Sequence, residues 1–129
     1  MFTIDQINSA HSKVQSGAGF PAFIREIKQL CVRNYTTFVR DGHVDYAGDN
    51  GFRTTSDAKY PALEIASEPN PEQFKSALKQ HQQGATDYPA FCKIASELGI
   101  YKWVVNLEIL TCTYSDADGN NVLVEKIPQ

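Results

Sequence analysis

The sequence has no long hydrophobic run, no excess of basic residues and no paired cysteine spacing, and each absence removes a class of protein. Its 129 residues contain no apolar stretch near the roughly 20 needed to span a bilayer, and the opening Met1-Phe2-Thr3-Ile4-Asp5-Gln6 lacks the basic start of a secretory leader. Twelve Lys and Arg face fifteen Asp and Glu, a formal net charge of -3, the wrong sign for a phosphate backbone or an anionic lipid surface. The expectation is a cytoplasmic protein with neither nucleic-acid nor membrane partners. Cys31, Cys92 and Cys112 are odd in number and form no C-x-x-C pair. Each lies in an apolar pattern where a reduced thiol packs as a small hydrophobe, so all three read as core. Phosphate-loop, dinucleotide and nucleophile-elbow motifs are also missing. Gly17-Ala18-Gly19 follows a helix pattern and not a strand, which makes it a connector.

What is present is a faint internal repeat. Phe20-Pro21-Ala22-Phe23 returns as Tyr88-Pro89-Ala90-Phe91, 68 residues later, and the same offset pairs Leu30 with Leu98, Tyr35 with Trp103, Val39 with Leu107, Tyr46 with Tyr114 and Gly51 with Gly119. Positions 20–51 share six identities in 32 aligned positions with 88–119, where typical residue frequencies give about two. The matches fall at corresponding points of a helix, helix, hairpin, strand order in each half. A chain of this length buries roughly two-thirds of its unfolded surface. It reads as a single domain, 1–129, with halves over 3–68 and 70–128.

The first helix starts with a Thr3/Gln6 capping box, buries Ile4, Ile7, Ala10 and Val14, and ends at Gly17. Its counterpart is capped by Asn70 before Pro71, turns Phe74, Ala77, Leu78 and His81 inward, and stops at Gly84. The second helix of each half opens on an aromatic and a proline and carries a core stripe: Phe23, Ile24, Ile27, Leu30 and Cys31, then Phe91, Cys92, Ala95 and Leu98.

Asp41-Gly42 predicts a two-residue hairpin turn, in which Arg40 faces His43, Val39 faces Val44 and Phe38 faces Asp45. Alternation then puts Tyr35, Thr37, Val39, Val44 and Tyr46 on one face, and Thr36, Phe38, Arg40, His43 and Asp45 on the other. In the second half Tyr101, Trp103, Val105 and Leu107 alternate with Lys102, Val104, Asn106 and Glu108. Asp116-Ala117-Asp118-Gly119 reads as a turn into a last strand over 122–127, and Leu63-Glu64-Ile65 as the matching strand of the first half. Residues 52–60 are polar and irregular, the segment expected to be a mobile loop. The whole predicts an α+β fold: duplicated ααβββ units forming a largely antiparallel sheet with helices packed on one face.

The second half carries a family resemblance. Gln82-Gln83-Gly84, Asp87-Tyr88-Pro89-Ala90-Phe91-Cys92, Gly99, Trp103, Tyr114, Gly119 and the closing Glu125-Lys126-Ile127-Pro128 resemble a small bacterial family, domain of unknown function 1398, whose members often carry the label "phage envelope protein". The match extends over 74–128 and is thinner over 1–70. The resemblance implies an intracellular domain, an occasional prophage setting and no assigned activity. Members tend to carry a histidine and a glutamate one residue apart near the C-terminus; here Glu125 matches, while the histidine position holds Leu123.

Candidate chemistry concentrates on the first hairpin, where His43 and Asp45, two apart on one strand, project together and could act as a general base beside Arg40 as an anion holder. Glu125 is a further candidate. No nucleophile or oxyanion motif accompanies them, so a solvated sheet edge is the competing reading. His11 and His81 occupy comparable helix positions without metal-ligand spacing, and no metal or cofactor is expected. On the sheet, Phe38, Val104 and Trp103 are candidate binding residues. The leading functional reading is a non-catalytic binding or protein-interaction domain, with a homodimer through the sheet face. The alternative is a small-molecule enzyme or ligand carrier with a cleft between the halves, lined by Arg40, His43, Asp45 and Glu125.

Overall fold

The computed structural model describes residues 2–11 and 20–127. Among them are four helices, α1 (Ile4–His11), α2 (Phe20–Gln29), α3 (Pro71–Gln82) and α4 (Tyr88–Glu97), and six strands, β1 (Val32–Phe38), β2 (Val44–Gly48), β3 (Arg53–Thr55), β4 (Lys102–Asn106), β5 (Thr111–Ser115) and β6 (Asn121–Lys126). The expected end of α1 at Val14 and Gly17, and the Gly17-Ala18-Gly19 connector, lie outside the described residues.

Local chemistry starts each helix where its sequence offers a cap. At α1 the Gln6 amide donates to Thr3 Oγ1 (3.1 Å) and the Thr3 amide to Gln6 Oε1 (2.9 Å), the reciprocal capping box read from the sequence. Asn70 Oδ1 accepts from the Gln73 amide (3.2 Å) ahead of Pro71, and Asp87 Oδ1 accepts from the Ala90 amide (2.9 Å) ahead of Pro89. Caps of this kind contribute about 1 kcal/mol each.

The sheet is antiparallel throughout, in the order β3-β2-β1-β4-β5-β6. Each half is a three-strand meander, and β1 and β4 join the meanders at the centre. The ladder registers repeat between the halves: Tyr35 pairs with Tyr46 and Trp103 with Tyr114, and both helices α2 and α4 have ten residues, all 68 apart. At the centre Thr36 pairs with Val104, again 68 apart, so an approximate two-fold passes between these two residues.

The helices cover one face. Tyr35, Thr37, Val39, Val44, Tyr46, Trp103, Val105, Cys112 and Tyr114 point into that layer and are buried. Phe23 meets Tyr35, Phe74 meets Tyr114 and Phe91 meets Trp103, with ring centroids 6.5, 4.9 and 5.8 Å apart. The other face has no covering layer among the described residues. One row crosses all six strands there: Thr55, Asp45, Thr36, Val104, Thr113 and Val124.

Four expectations are corrected. The first hairpin is not a two-residue turn: Thr37 pairs with Val44 and Thr36 with Asp45, a register two residues away from the expected one. Because the shift is even, every side chain keeps its face. The third strand of the first half is Arg53–Thr55, not Leu63-Glu64-Ile65. Residues 56–63 are anchored instead of loose. The Ser56 amide donates to Val44 O (2.8 Å), the Lys59 amide to Asp41 O (2.8 Å), the Leu63 amide to Arg40 O (2.7 Å) and Tyr60 Oη to Val39 O (2.5 Å). Finally, Cys31 is exposed, with φ 73° in the left-handed region, while Cys92 and Cys112 are buried as expected.

Candidate functional site

The hairpin between β1 and β2 builds the most chemically loaded corner of the open face. Phe38 and His43 end the ladder as neighbours, the Phe38 amide donating to His43 O (3.0 Å) and the Gly42 amide to Phe38 O (2.8 Å). Four residues, Val39 to Gly42, therefore make the turn, and Gly42 takes φ 78°. Gly42 is required twice over: besides its φ, a Cβ there would lie 2.7 Å from Tyr60 Cε2. Tyr60 and Lys59, from the anchored segment, thus close the turn from the side, with Lys59 Nζ donating to Gly42 O (3.3 Å).

Asp41 organises the corner. Its Oδ1 accepts from the His43 amide (3.0 Å) and from His43 Nδ1 (2.5 Å), so the proton of the neutral ring sits on Nδ1 and Nε2 is left as the acceptor. The Asp41 carboxyl is held below the usual carboxylate range, first by the His43 amide and also by the imidazole. The imidazole lies flat on Phe38, with centroids 4.4 Å apart and planes at 10°. Both rings are half-buried, and Tyr101 meets Phe38 edge-on at 6.2 Å.

The candidate residues separate on this framework. His43 pairs with Asp41 and not with Asp45, whose carboxylate accepts from Thr55 Oγ1 (2.8 Å). The i, i+2 spacing does put His43 and Asp45 on one face, but the tight turn brings Asp41 closer. Arg40 is exposed on the turn. Glu125 sits on β6, opposite Cys112 on the helix-covered face, and accepts from Gln82 Nε2 (2.7 Å). Four strand spacings, about 19 Å, separate β2 from β6, so Glu125 and His43 share no site. Val104 lies half-buried at the centre of the open face. Trp103 is 6 % exposed and packs among Tyr88, Phe91 and Tyr114 on the other side; its contacts are core contacts.

Asp41 and the Lys59/Tyr60 flank were not singled out in the sequence. The Asp-x-His spacing was the available signal, because an Asp side chain commonly bonds the backbone two residues on. Among the described residues no hydroxyl or thiol is hydrogen-bonded to the His43 ring, so the dyad can orient, accept a proton or hold a donor, without a nucleophile to activate.

The remaining reactive groups serve structure. His81 stacks on Phe91 (4.4 Å, 9°) with Nδ1 against Thr86 O (3.0 Å), and burial lowers its pKa, which keeps the ring neutral. The side chain of His11 lies outside the described residues. Among those described, no cluster of three or more metal-ligating side chains occurs. Burial pushes the Cys112 thiol up to about 12 and raises that of Cys92. Asp116 Oδ1 accepts from the Asp118 and Asn120 amides (3.0 and 2.8 Å), which makes the Asp116-x-Asp118-Gly119 run a hairpin turn, as read from the sequence. No described helix is long and apolar enough to cross a membrane.

The model of a family described as "Protein of unknown function (DUF1398)" matches residues 8–126, the family that the second-half motifs resemble. No curated protein matches the chain.

Proposed function

Because the chain belongs to this family of unknown function, whose description assigns no activity, we propose from the geometry that it is a non-catalytic, cytoplasmic binding domain whose open sheet face receives a protein partner. One observation carries the reading: the two halves share a framework, and on the open face the first hairpin corner carries an aromatic stack and a dyad where the second half has neither. At the offset of 68, Phe38 corresponds to Asn106, Arg40 to Glu108, Asp41 to Ile109 and His43 to Thr111. The second hairpin closes its four-residue turn on the Asn106 side chain, without an aromatic pair or a dyad. A half-exposed Phe/His stack with a fixed tautomer and a neighbouring guanidinium offers apolar area, a directed acceptor and a charge together, the mixture that anchors protein interfaces.

The test is affinity capture on immobilised protein, comparing Phe38→Ala and His43→Ala with Ile109→Ala and Thr111→Ala at the corresponding corner. The expected outcome is a partner retained by the wild type and by the second pair, and lost from the first pair while the melting temperatures of all four stay close. Equal retention by the two corners would overturn the reading.

A further inference from the structure

The charge on the open sheet face is mostly of one sign. Ladder partners share a face, which puts Arg53 on the open side opposite Ala47, Lys126 opposite Thr111 and Lys102 opposite Phe38. Among the described ladder residues of that face, Asp45 alone is acidic. The chain as a whole carries -3, so the face has the opposite sign to the protein. The carboxylates around it are also engaged: Asp45 accepts from Thr55 Oγ1, Asp41 from His43, and Asp49 and Glu108 both hold Arg33. Among the described residues no carboxylate comes within ion-pair distance of Arg40, Arg53, Lys102 or Lys126. Two of these cations flank the hairpin corner. Phe38 has the His43 ring stacked on it at 4.4 Å and Lys102 across the β1/β4 ladder, where opposed Cβ atoms lie about 5 Å apart, and Arg40 stands exposed on the turn beside them.

We propose that the partner segment received by this face is an acidic peptide, with an apolar residue seated on Phe38 and carboxylates to either side meeting Lys102 and Arg40. The proposal rests on the binding reading above and adds the chemistry of the partner. A carboxylate arriving at Lys102 or Arg40 finds a cation whose donors are not already held by another carboxylate, so it gains charge-assisted hydrogen bonds without displacing an internal pair. Arg53 and Lys126 stand on the first and last strands, five strand spacings or about 24 Å apart, a span that an extended chain of about seven residues covers. Their field draws an anionic segment onto the face and repels a basic one. A nucleic-acid strand fits less well. A stacking platform needs several open rings, whereas Phe38 already has His43 against it, and Asp45 lies in the neighbouring row. A second copy of the chain would set this basic face against itself, where like charges oppose association.

Selection of a random displayed peptide library on the immobilised protein tests it, with the selected peptide then synthesised, labelled and titrated by fluorescence anisotropy. The expected result is enrichment of acidic residues around an apolar one, with an affinity that falls as salt is raised. Lys102→Glu should weaken that peptide about tenfold or more. Lys75→Glu, the same change of charge at an exposed position of α3 in the helix layer, should leave its affinity within about twofold. Arg40→Glu is the deciding variant if Lys102→Glu lowers the melting temperature. Neutral or basic peptides that are lost on Phe38→Ala would overturn the acidic assignment and leave the binding corner standing, whereas acidic peptides indifferent to Phe38→Ala and Lys102→Glu would overturn both. The absence of any enrichment, an equal loss with Lys75→Glu, a labelled oligothymidylate bound more tightly than the peptide, or a dimer that buries the open face would each overturn the inference.

Discussion

Residues 31 and 99 follow helices of equal length at corresponding places, and both take a left-handed backbone, φ 73° and 83°. Yet one is cysteine and the other glycine. At Gly99 a Cβ would lie 2.5 Å from Glu68 O and 2.6 Å from Pro69 Cα, because the chain linking the halves runs directly over the end of α4. Over the end of α2 there is instead a shallow groove, lined by Lys28, Cys31, Val32, Arg33, Asp49, Leu107 and Glu108. The same backbone requirement is thus met by glycine where space is missing and tolerated in cysteine where it is not. The hairpins show the same contrast. Gly42 and Leu110 both end four-residue turns with positive φ (78° and 56°). The first turn is pinned by Asp41 from within, whereas the second is pinned by Asn106, whose Oδ1 accepts from the Glu108 and Ile109 amides (2.9 and 3.2 Å).

The strongest test of this comparison exchanges the helix ends. Gly99→Ala should destabilise the protein by about 3 kcal/mol, from left-handed strain plus the clash with the linking chain, while Cys31→Gly should stabilise it by about 0.5 to 1 kcal/mol. Urea melts measure both, and similar costs at the two positions would break the contrast.

A smaller effect is expected at the turns. Asp41→Ala removes the acceptor for the His43 amide and ring and should cost about 1 to 2 kcal/mol. Ile109→Ala, at the corresponding exposed position, should stay within about 0.5 kcal/mol. The Asp41 contribution also depends on pH. Its carboxyl is depressed in the folded state, so the stabilisation is present above the unfolded carboxyl value and is lost as pH falls through the folded one. Asp41→Asn keeps an oxygen acceptor without that titration, so its acid limb in a stability-against-pH series should be flatter than that of the wild type; identical limbs would remove Asp41 from the account.

The smallest perturbation needs no substitution. A thiol reagent at neutral pH should modify Cys31 rapidly and leave Cys92 and Cys112 untouched until the protein unfolds. More than one fast thiol would mean that the helix layer opens more readily than its packing implies.

Much of this architecture was legible in the sequence because it rests on period and punctuation. The α2 and α4 stripes, the Thr3/Gln6 box and the two faces of β1 and β2 follow from spacing alone, and the faces survived a wrong turn length because the register moved by two. β3 was not legible: Arg-Thr-Thr is short and polar, and it is a strand only because β2 offers a free edge, whereas Leu63 and Ile65 carry the apolar alternation and are held in the linking chain. Cys31 fitted a core stripe by spacing, and only the left-handed backbone beyond α2 turns it to solvent. The candidate site was half visible. Arg40, Phe38 and His43 share their corner as read, but the choice of Asp41 over Asp45 depends on turn geometry that the pattern of residue types does not contain.

The central ladder also has a bearing on synthesis. β1 receives β2 within a few residues, but its other partner, β4, begins only at Lys102, after a further 63 residues (39–101) have been added to the chain. Until then the N–H and C=O groups of Tyr35 and Thr37, on the side that meets β4, face water or whatever strand passes by. A chain truncated before residue 102 would keep that edge open, and its only well-matched cover would be β4 supplied by another molecule.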